Sequence, residues 1–393
     1  QPLNAFMVGT VLNISFTIVA LLGLGRVAKL LDVIWIVALI GVALLILVLL
    51  STGQTQFAIR FDQFIHASGG YFSTVQTPYT QIISEAHSAG FRPAPQRLVG
   101  PEIAVVAGSV IWVFWSTYIG GEIKRIDSLK RNAIAMVGAA ALNAFLFLLI
   151  IYGMFTSFGY DFLASLSFIT GVHPGTLPSV SPAGIMILLS GLASGSLALA
   201  TLIMIAFSLR AVLFLPSLIH QPVRSMFAWS MDRILPDRLS QVGGRFHVPI
   251  LLHGLVMLVV QGLLVLIMMY PKYLFPIFSS VIIAPAFSSI FPAAVAAALF
   301  PFRQKAIYEN SPAKLSIGRI PIVTITGIAA AGFMLFMVYE FIAWPGFGLQ
   351  DPLLILLNFG MIPIGLAFYL IAWIVRRRQG IDLTKLFQQI PPE

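Results

Sequence analysis

The chain is predicted to be an all-α polytopic membrane protein with nine transmembrane helices. Three observations predict this: 59% of its 393 residues are hydrophobic, only 9% are charged, and the apolar residues gather in nine long stretches. A helix rises 1.5 Å per residue, so about 20 apolar residues cross the hydrocarbon core of a bilayer. The nine stretches are 3–22, 30–51, 102–120, 133–154, 183–215, 249–270, 273–299, 321–344 and 352–375.

The positive charges alternate between the two ends of these stretches. Of the 23 lysines and arginines, 19 lie in or beside the segments after stretches one, three, five and seven and in the C-terminal tail. The other four segments hold only Arg60, Arg92, Arg97 and Lys272. Because cytoplasmic segments are enriched in Lys and Arg, we predict a cytoplasmic C-terminus, residue 1 on the outer side, and location in the cell (plasma) membrane.

The predicted orientation bears on the start of the chain. The sequence begins with Gln1, and no cationic segment or cleavage site precedes the first stretch. An odd number of spans places this end outside. We therefore expect an upstream part with an odd number of further spans.

Several function classes are excluded by the composition. Continuous apolar runs exclude an outer-membrane barrel, which alternates over ten-residue strands. The net charge of +9 is spread over separate segments, which argues against a nucleic-acid partner. The sequence contains no phosphate-binding Gly-rich motif, paired-histidine metal spacing or nucleophile elbow. We therefore expect no enzyme, no catalytic residue, no metal and no cofactor. Without cysteine, disulfides are excluded.

The fifth stretch is unusual in its length. It continues apolar to residue 219, which is too long for one perpendicular span. We expect a tilted or broken helix with a kink at Pro216 and an outer extension over residues 183–194. Gly191 and Gly195 have the spacing of close helix packing.

Two further segments depart from a plain apolar helix. Residues 52–100 form the one long outer loop, in which aromatic and charged residues predict one or two short interfacial helices. A passive amphipathic loop is favoured there over a lid across the outer mouth. The stretch 273–299 holds Pro276, Pro285 and Pro292, which a span tolerates only where neighbours or water satisfy the freed carbonyls.

Small residues in the third stretch give the first candidate binding site. Gly108 and Ser109 precede Val110, Ile111 and Trp112 at mid-membrane depth. A helix that breaks there presents backbone N–H groups, which suit a substrate carboxylate. The alternative is ordinary close packing at Gly108.

Arg210 is the second candidate, because it lies well inside the fifth span. A guanidinium at the centre of a membrane helix costs about 2.5–3.5 kcal/mol on insertion scales. Arg210 therefore needs a partner, an anion or a water path, unless the helix ends earlier and the side chain snorkels. Glu340, four residues before Trp344 near the outer interface, is predicted to snorkel.

The cytoplasmic segment 224–236 carries a spaced set of residues: Arg224, Phe227, Ala228, Asp232, Leu235 and Pro236, followed by Val242, Val248 and Pro249. This set resembles a loop of the amino acid permeases in the amino acid–polyamine–organocation (APC) superfamily. Arg233 departs from the pattern, since the family usually has glycine there. A second segment, 122–133, resembles the family's Glu-Val-Lys-Asn-Pro-x-Arg-Asn-x-Pro-x-Ala motif but lacks both prolines.

This resemblance covers essentially the whole chain and implies the inverted-repeat transporter fold, in which five spans are repeated upside down and two more follow. Residues 1–51 would be the family's fourth and fifth spans, so that its first three spans would lie upstream. Residues 52–100 would be an outer loop and 101–300 the second inverted repeat, with spans six to ten. Residues 301–393 would hold the last two spans and the cytoplasmic tail.

The resemblance also implies site residues. In the family the first and sixth spans are unwound where the substrate's amino and carboxylate groups bind, which corresponds here to residues 108–112. A rival alignment puts the break at 118–122. Sodium-coupled relatives supply hydroxyl ligands from the eighth span, where this chain has Ser208 and Ser217 around Arg210. We expect the fixed charge of Arg210 to stand in for a coupling cation, and the coupling ion, Na⁺ or H⁺, is left open.

These observations predict a secondary active amino acid transporter, a permease that works by alternating access. Its expected partners are a small-molecule amino acid and the lipid bilayer, and a homo-oligomer is compatible with the sequence. One alternative is a polyamine or organic-cation transporter of the same superfamily. The other is a membrane amino acid sensor that keeps the fold and does not transport.

Overall fold

A computed structural model describes residues 2–69, 71–93, 99–110, 112, 128–172, 177, 182–243, 248–270, 286–312, 314–344 and 352–383. Most of these residues are helical. The α-helices are α1 (Pro2–Ala20), α2 (Leu24–Ser51), α3 (Gln54–Ser68), α4 (Pro78–Ser88), α5 (Val99–Val110), α6 (Leu129–Phe158), α7 (Tyr160–Val172), α8 (Pro182–Ser194), α9 (Leu197–Met231), α10 (Ile250–Met269), α11 (Phe291–Arg303), α12 (Lys305–Glu309), α13 (Ile322–Ala343), α14 (Pro352–Phe359) and α15 (Met361–Arg378). A π-helical turn (Ala286–Ile290) precedes α11, and strands Ser316–Ile317 and Ile320–Pro321 form an antiparallel hairpin.

Six helices in the described ranges are long and apolar enough to cross a membrane, which fits a multi-pass membrane protein. They are Leu3–Ala20, Gly25–Ser51, Leu129–Phe158, Ile250–Met269, Ala286–Arg303 and Ile322–Ala343. Five of them coincide with the predicted stretches one, two, four, six and eight, and Ala286–Arg303 overlaps the second half of stretch seven. Pro276 and Pro285 lie outside the described residues. The ninth stretch forms two helices, α14 and α15, and the third is described only as far as α5 and Trp112. The total of nine spans stays a prediction.

The fifth predicted stretch is divided into two helices at Gly195. This residue has a φ of +63°, in the left-handed region that glycine adopts readily. Helix α8 ends at Ser194 and α9 begins at Leu197, so residues 183–194 form a separate helix, as the predicted outer extension implies. Helix α9 continues without interruption through Pro216. A break thus lies at Gly195, and the kink at Pro216 stays a prediction.

The chain divides into two compact units. The first comprises Gln1–Gly23, Leu98–Ala139 and Pro216–Glu393, and the second comprises Leu24–Arg97 and Ala140–Leu215. This division reflects which helices contact each other, and it does not test where a structural repeat begins or ends. The predicted boundaries at residues 51, 100 and 300 therefore stay predictions.

In the first unit, helices pack closely through small and polar residues. The Asn13 side-chain amide of α1 donates to the carbonyl of Met257 in α10 at 3.1 Å. Helices α11 and α13 are joined by the Thr324 hydroxyl, which donates to the carbonyl of Ala298 at 3.1 Å. At Gly327 of α13 the backbones meet, because an added Cβ would lie 2.7 Å from the Ala294 carbonyl oxygen.

The second unit contains a cluster that we call the aromatic core: Phe57, Phe61, Tyr79, Phe158 and Phe162. The Phe57 and Phe158 rings lie 4.4 Å apart, and Tyr79 stacks on Phe162 at 4.3 Å. The Tyr79 hydroxyl donates to the Phe158 carbonyl at 2.6 Å, so its polar end is satisfied. The predicted loop 52–100 thus contributes two packed helices, α3 and α4, to this core.

Candidate functional site

The predicted substrate segment lies at the end of helix α5. Gly108 is buried inside this helix, which continues through Ser109 and Val110. Ile111 lies outside the described residues, and Trp112 follows with 3₁₀ geometry, half-buried. Helix α5 is described as far as Val110, and the rival break at 118–122 lies outside the described part of the chain. Substrate binding at residues 108–112 stays a prediction.

The small residues of α5 provide its contact with α13. Ala104 is fully buried in a cluster with Met337 and Phe341, and Ala107 packs against the same cluster. Small side chains let helix backbones approach closely in membranes. The contact lies at Ala104 and Ala107, and close packing at Gly108 stays the alternative interpretation.

Glu340 lies against the first turn of α5. A Cβ on Gly100 would lie 2.6–2.8 Å from the carboxylate atoms of Glu340. The first N–H groups of a helix have no partner within it and carry partial positive charge, which favours a neighbouring carboxylate. The structure thus gives Glu340 a neighbour within the protein, and the predicted snorkelling of its side chain stays a prediction.

The predicted coupling or gating residues all lie on helix α9. Ser208 is exposed. Arg210 and Ser217 have helical backbone, and their side chains lie outside the described atoms. Ser208 and Arg210 belong to the second unit, whereas Ser217, Gly108 and Trp112 belong to the first. The coupling or gating roles of Ser208, Arg210 and Ser217 stay predictions.

Two buried histidines form a feature that the sequence did not predict. His220 of α9 and His253 of α10 are 6% and 2% exposed, with ring centroids 6.0 Å apart. His253 Nδ1 lies 2.9 Å from the Pro249 carbonyl oxygen, which can only accept, so this nitrogen carries the proton. The Nε2 atoms of both rings lack a hydrogen-bond partner within the described residues. The two positions are 33 apart in the chain, and no spacing rule links them.

The loop after α9, which carries the APC-like motif, begins with a Schellman motif. The Ile234 N–H donates to the Trp229 carbonyl at 2.8 Å, and the Arg233 N–H donates to the Ser230 carbonyl at 3.0 Å. This bonding puts Arg233 at the position after the helix where glycine is preferred. Its φ of +59° is the one positive value among non-glycine residues in the described ranges.

Arg376 of α15 holds this loop in place. Its guanidinium donates to the carbonyls of Arg233 and Leu235 at 2.5 and 2.7 Å, and to the Asp237 carboxylate at 3.1 Å. Its side chain is 12% exposed. Arg376 is the first of three consecutive arginines in the last turn of α15. The sequence alone does not show which of the three binds the loop.

Comparisons of the chain with protein-family models, with curated proteins and with solved structures found no match.

Proposed function

We propose that the chain is part of a secondary active amino acid transporter of the APC type, working by alternating access. Six long apolar helices support its place in a membrane. The two motif-bearing segments support the family, since the motif of residues 224–236 spans the end of a long helix and the loop after it.

The observation that carries this proposal is the conformation of Arg233. The family motif has glycine where this chain has arginine, which weakens the resemblance when residues alone are compared. The backbone at this position has a φ of +59° and closes a Schellman motif. Glycine is the residue that suits this conformation. The backbone at Arg233 is therefore of the kind that the family's glycine would suit, and this supports the resemblance.

In the proposed mechanism the substrate binds at mid-membrane beside residues 108–112, through backbone N–H groups at the N-terminus of the half-helix that follows a break there. Ser208, Arg210 and Ser217 on α9 take part in coupling or gating. The fixed charge of Arg210 stands in for a coupling cation, and the coupling ion, Na⁺ or H⁺, is left to the uptake experiment. No covalent chemistry takes place.

The experiment is uptake of a panel of labelled amino acids by proteoliposomes that contain the full-length protein. A sodium gradient, a proton gradient and preloaded amino acid are compared in parallel. Saturable uptake of one amino acid class supports the proposal and identifies the coupling. Uptake of polyamines alone would favour the polyamine or organic-cation transporter instead. Substrate binding without counterflow would favour the amino acid sensor.

The role of Arg210 has its own test. We expect Arg210→Gln to abolish uptake or to make it dependent on an added cation, because the fixed charge is lost. Ser208→Ala serves as the comparison on the same helix, since it removes a hydroxyl and leaves the charge. Unchanged uptake and ion dependence in Arg210→Gln would rule out this role.

A further inference from the structure

A cavity of about 580 Å³ lies in the second unit between α3 and the bend that joins α8 to α9. Its polar lining includes Arg60, Gln63 and Thr201, and its apolar lining includes Leu188, Leu197 and Met204. Leu197 is 85% exposed and Met204 48%. The cavity is therefore amphipathic, with a cation at one end and an accessible apolar wall.

The position of this cavity follows from helix α2, which is long enough to span the bilayer. Gly41 of α2 lies directly against Ala206 of α9. The Thr52 hydroxyl, one residue beyond the end of α2, donates to the Ala193 carbonyl at 3.0 Å. Arg60 donates to the same carbonyl. Its guanidinium thus lies level with the end of a spanning helix, at the depth where headgroups lie.

The apolar wall extends from this level toward the middle of α2. Helix α9 runs from Leu197 past Met204 to Ala206, which meets Gly41. Seven residues separate Leu197 from Met204, which is about 10 Å along a helix. The cavity thus has its cation at headgroup depth and its apolar lining at the depth of the first acyl carbons.

The charge of Arg60 is available to an anion. A guanidinium carries five N–H donors, and one contact of Arg60 is to the Ala193 carbonyl. Within the described ranges no carboxylate lies within 4.0 Å of it, since the ion pairs found there involve other residues. Arginine binds phosphate through paired, charge-assisted hydrogen bonds.

We propose that this cavity binds a phospholipid of the surrounding bilayer with a net negative headgroup. The phosphate contacts Arg60, and one acyl chain lies along Leu188, Leu197 and Met204. A zwitterionic lipid offers the same phosphate but brings its own cation close to Arg60. The site therefore prefers the anionic lipid. This inference depends on insertion in a membrane and is independent of the proposed transport activity.

The experiment is native mass spectrometry of the purified full-length protein with equal amounts of phosphatidylglycerol and phosphatidylcholine of the same acyl chains. We expect a preference for the anionic lipid of about tenfold, since hydrogen bonds to charged groups contribute at this level. Arg60→Gln should lose it and Arg60→Lys should retain most of it. Arg92→Gln is the matched control, because Arg92 also donates to a backbone carbonyl, that of His87, and does not line the cavity.

A second variant tests the apolar wall without touching the charge. Met204→Trp should fill the cavity and reduce bound lipid about tenfold, while Met204→Leu should leave binding unchanged. Melting temperatures of all variants show whether they fold. Equal lipid preference in Arg60→Gln and Arg92→Gln would overturn the proposal. Displacement of the lipid by millimolar inorganic phosphate would also overturn it, because the site would then recognise a free anion.

Discussion

The aromatic core of the second unit and the α11–α13 pair of the first unit are stabilised in different ways. Helix α3 buries Phe57, Phe61 and Ile65 on one face and exposes polar residues on the other. Helix α13 exposes apolar residues instead, with Ile328 63% and Leu335 48% exposed. In the first case burial of large rings supplies the stability. In the second the outer surface is apolar too, so close approach of the backbones holds the pair together.

The largest effect is expected where a ring is removed from the aromatic core. Phe57 is fully buried between Phe158 and Phe162. Phe57→Ala should reduce the stability of this region by about 3–5 kcal/mol, since a buried ring and its packing are lost. Ile59→Ala, on the same helix but 55% exposed, is the control. Hydrogen exchange of α3 and α4 measures the effect, and equal exchange in both variants would contradict it.

A smaller effect is expected where a methyl group is added between α11 and α13. A Cβ on Gly327 would lie 2.7 Å from the Ala294 carbonyl oxygen and the Ala298 nitrogen, so backbone would have to move. Gly327→Ala should cost about 1–3 kcal/mol. Gly332→Ala on the same helix meets no atom within 4 Å and should be neutral or stabilising. Thermal unfolding in detergent compares the two, and a Gly327→Ala melting temperature equal to that of Gly332→Ala would refute close packing here.

This difference also explains what the sequence could predict. Five apolar stretches are helices at the expected positions and a sixth is helical over its second half, because length and hydropathy are local properties of the chain. The loop 52–100 was expected to hold short helices, and α3 and α4 are there. The aromatic core was not predicted, because it joins Phe57 to Phe158, about 100 positions away. The sequence did not single out Gly195 as the break, since glycine is common in membrane helices and a proline in a long helix is the stronger local signal.

The candidate site was less predictable than the fold for a related reason. Gly108 and Arg210 were proposed as site residues because each lies near the middle of an apolar stretch. The sequence gives this depth for each helix separately. Which helices face each other is a tertiary property, and it produced the unpredicted pairing of His220 with His253. Arg233 illustrates the same limit, because its positive φ, a conformation that favours glycine, cannot be recognised from an arginine in the sequence.

Glycine is needed at Gly327 for space, whereas at Arg233 it would be favoured for conformation alone. A left-handed φ costs a non-glycine residue about 1 kcal/mol or more. Glycine removes this cost, but part of the gain in stability is offset because glycine makes the unfolded chain more flexible. Arg233→Gly should therefore stabilise the protein by about 0.5–1 kcal/mol, which thermal unfolding would show as a slightly higher melting temperature. Arg238→Gly removes the same charge from the same loop without a positive φ to relieve, and should be destabilising. Destabilisation by both substitutions would contradict this interpretation.

The smallest effect concerns Asp62, which connects α3 to α4 beside the aromatic core. Its carboxylate accepts a hydrogen bond from the Tyr79 backbone N–H at 2.7 Å. Burial raises the pKa of Asp62 above 3.8, and this outweighs the lowering by that hydrogen bond and by His66. The folded state therefore binds the proton more tightly than the unfolded state. Stability of this region should fall as pH rises from below 3.8 through the folded pKa, and then level off.

Asp62→Asn isolates this contribution, because an amide oxygen still accepts from Tyr79 and does not titrate. We expect the variant to be as stable as the parent protein near pH 4 and slightly more stable at pH 7, so that the pH slope is reduced. Asp62→Ala removes the acceptor as well and should be destabilised by about 1 kcal/mol at either pH. Hydrogen exchange of α3 and α4 at both pH values measures this. A greater advantage of Asp62→Asn at pH 4 than at pH 7 would mean that the hydrogen bond outweighs burial, in which case the polar connection stabilises this region as the rings do.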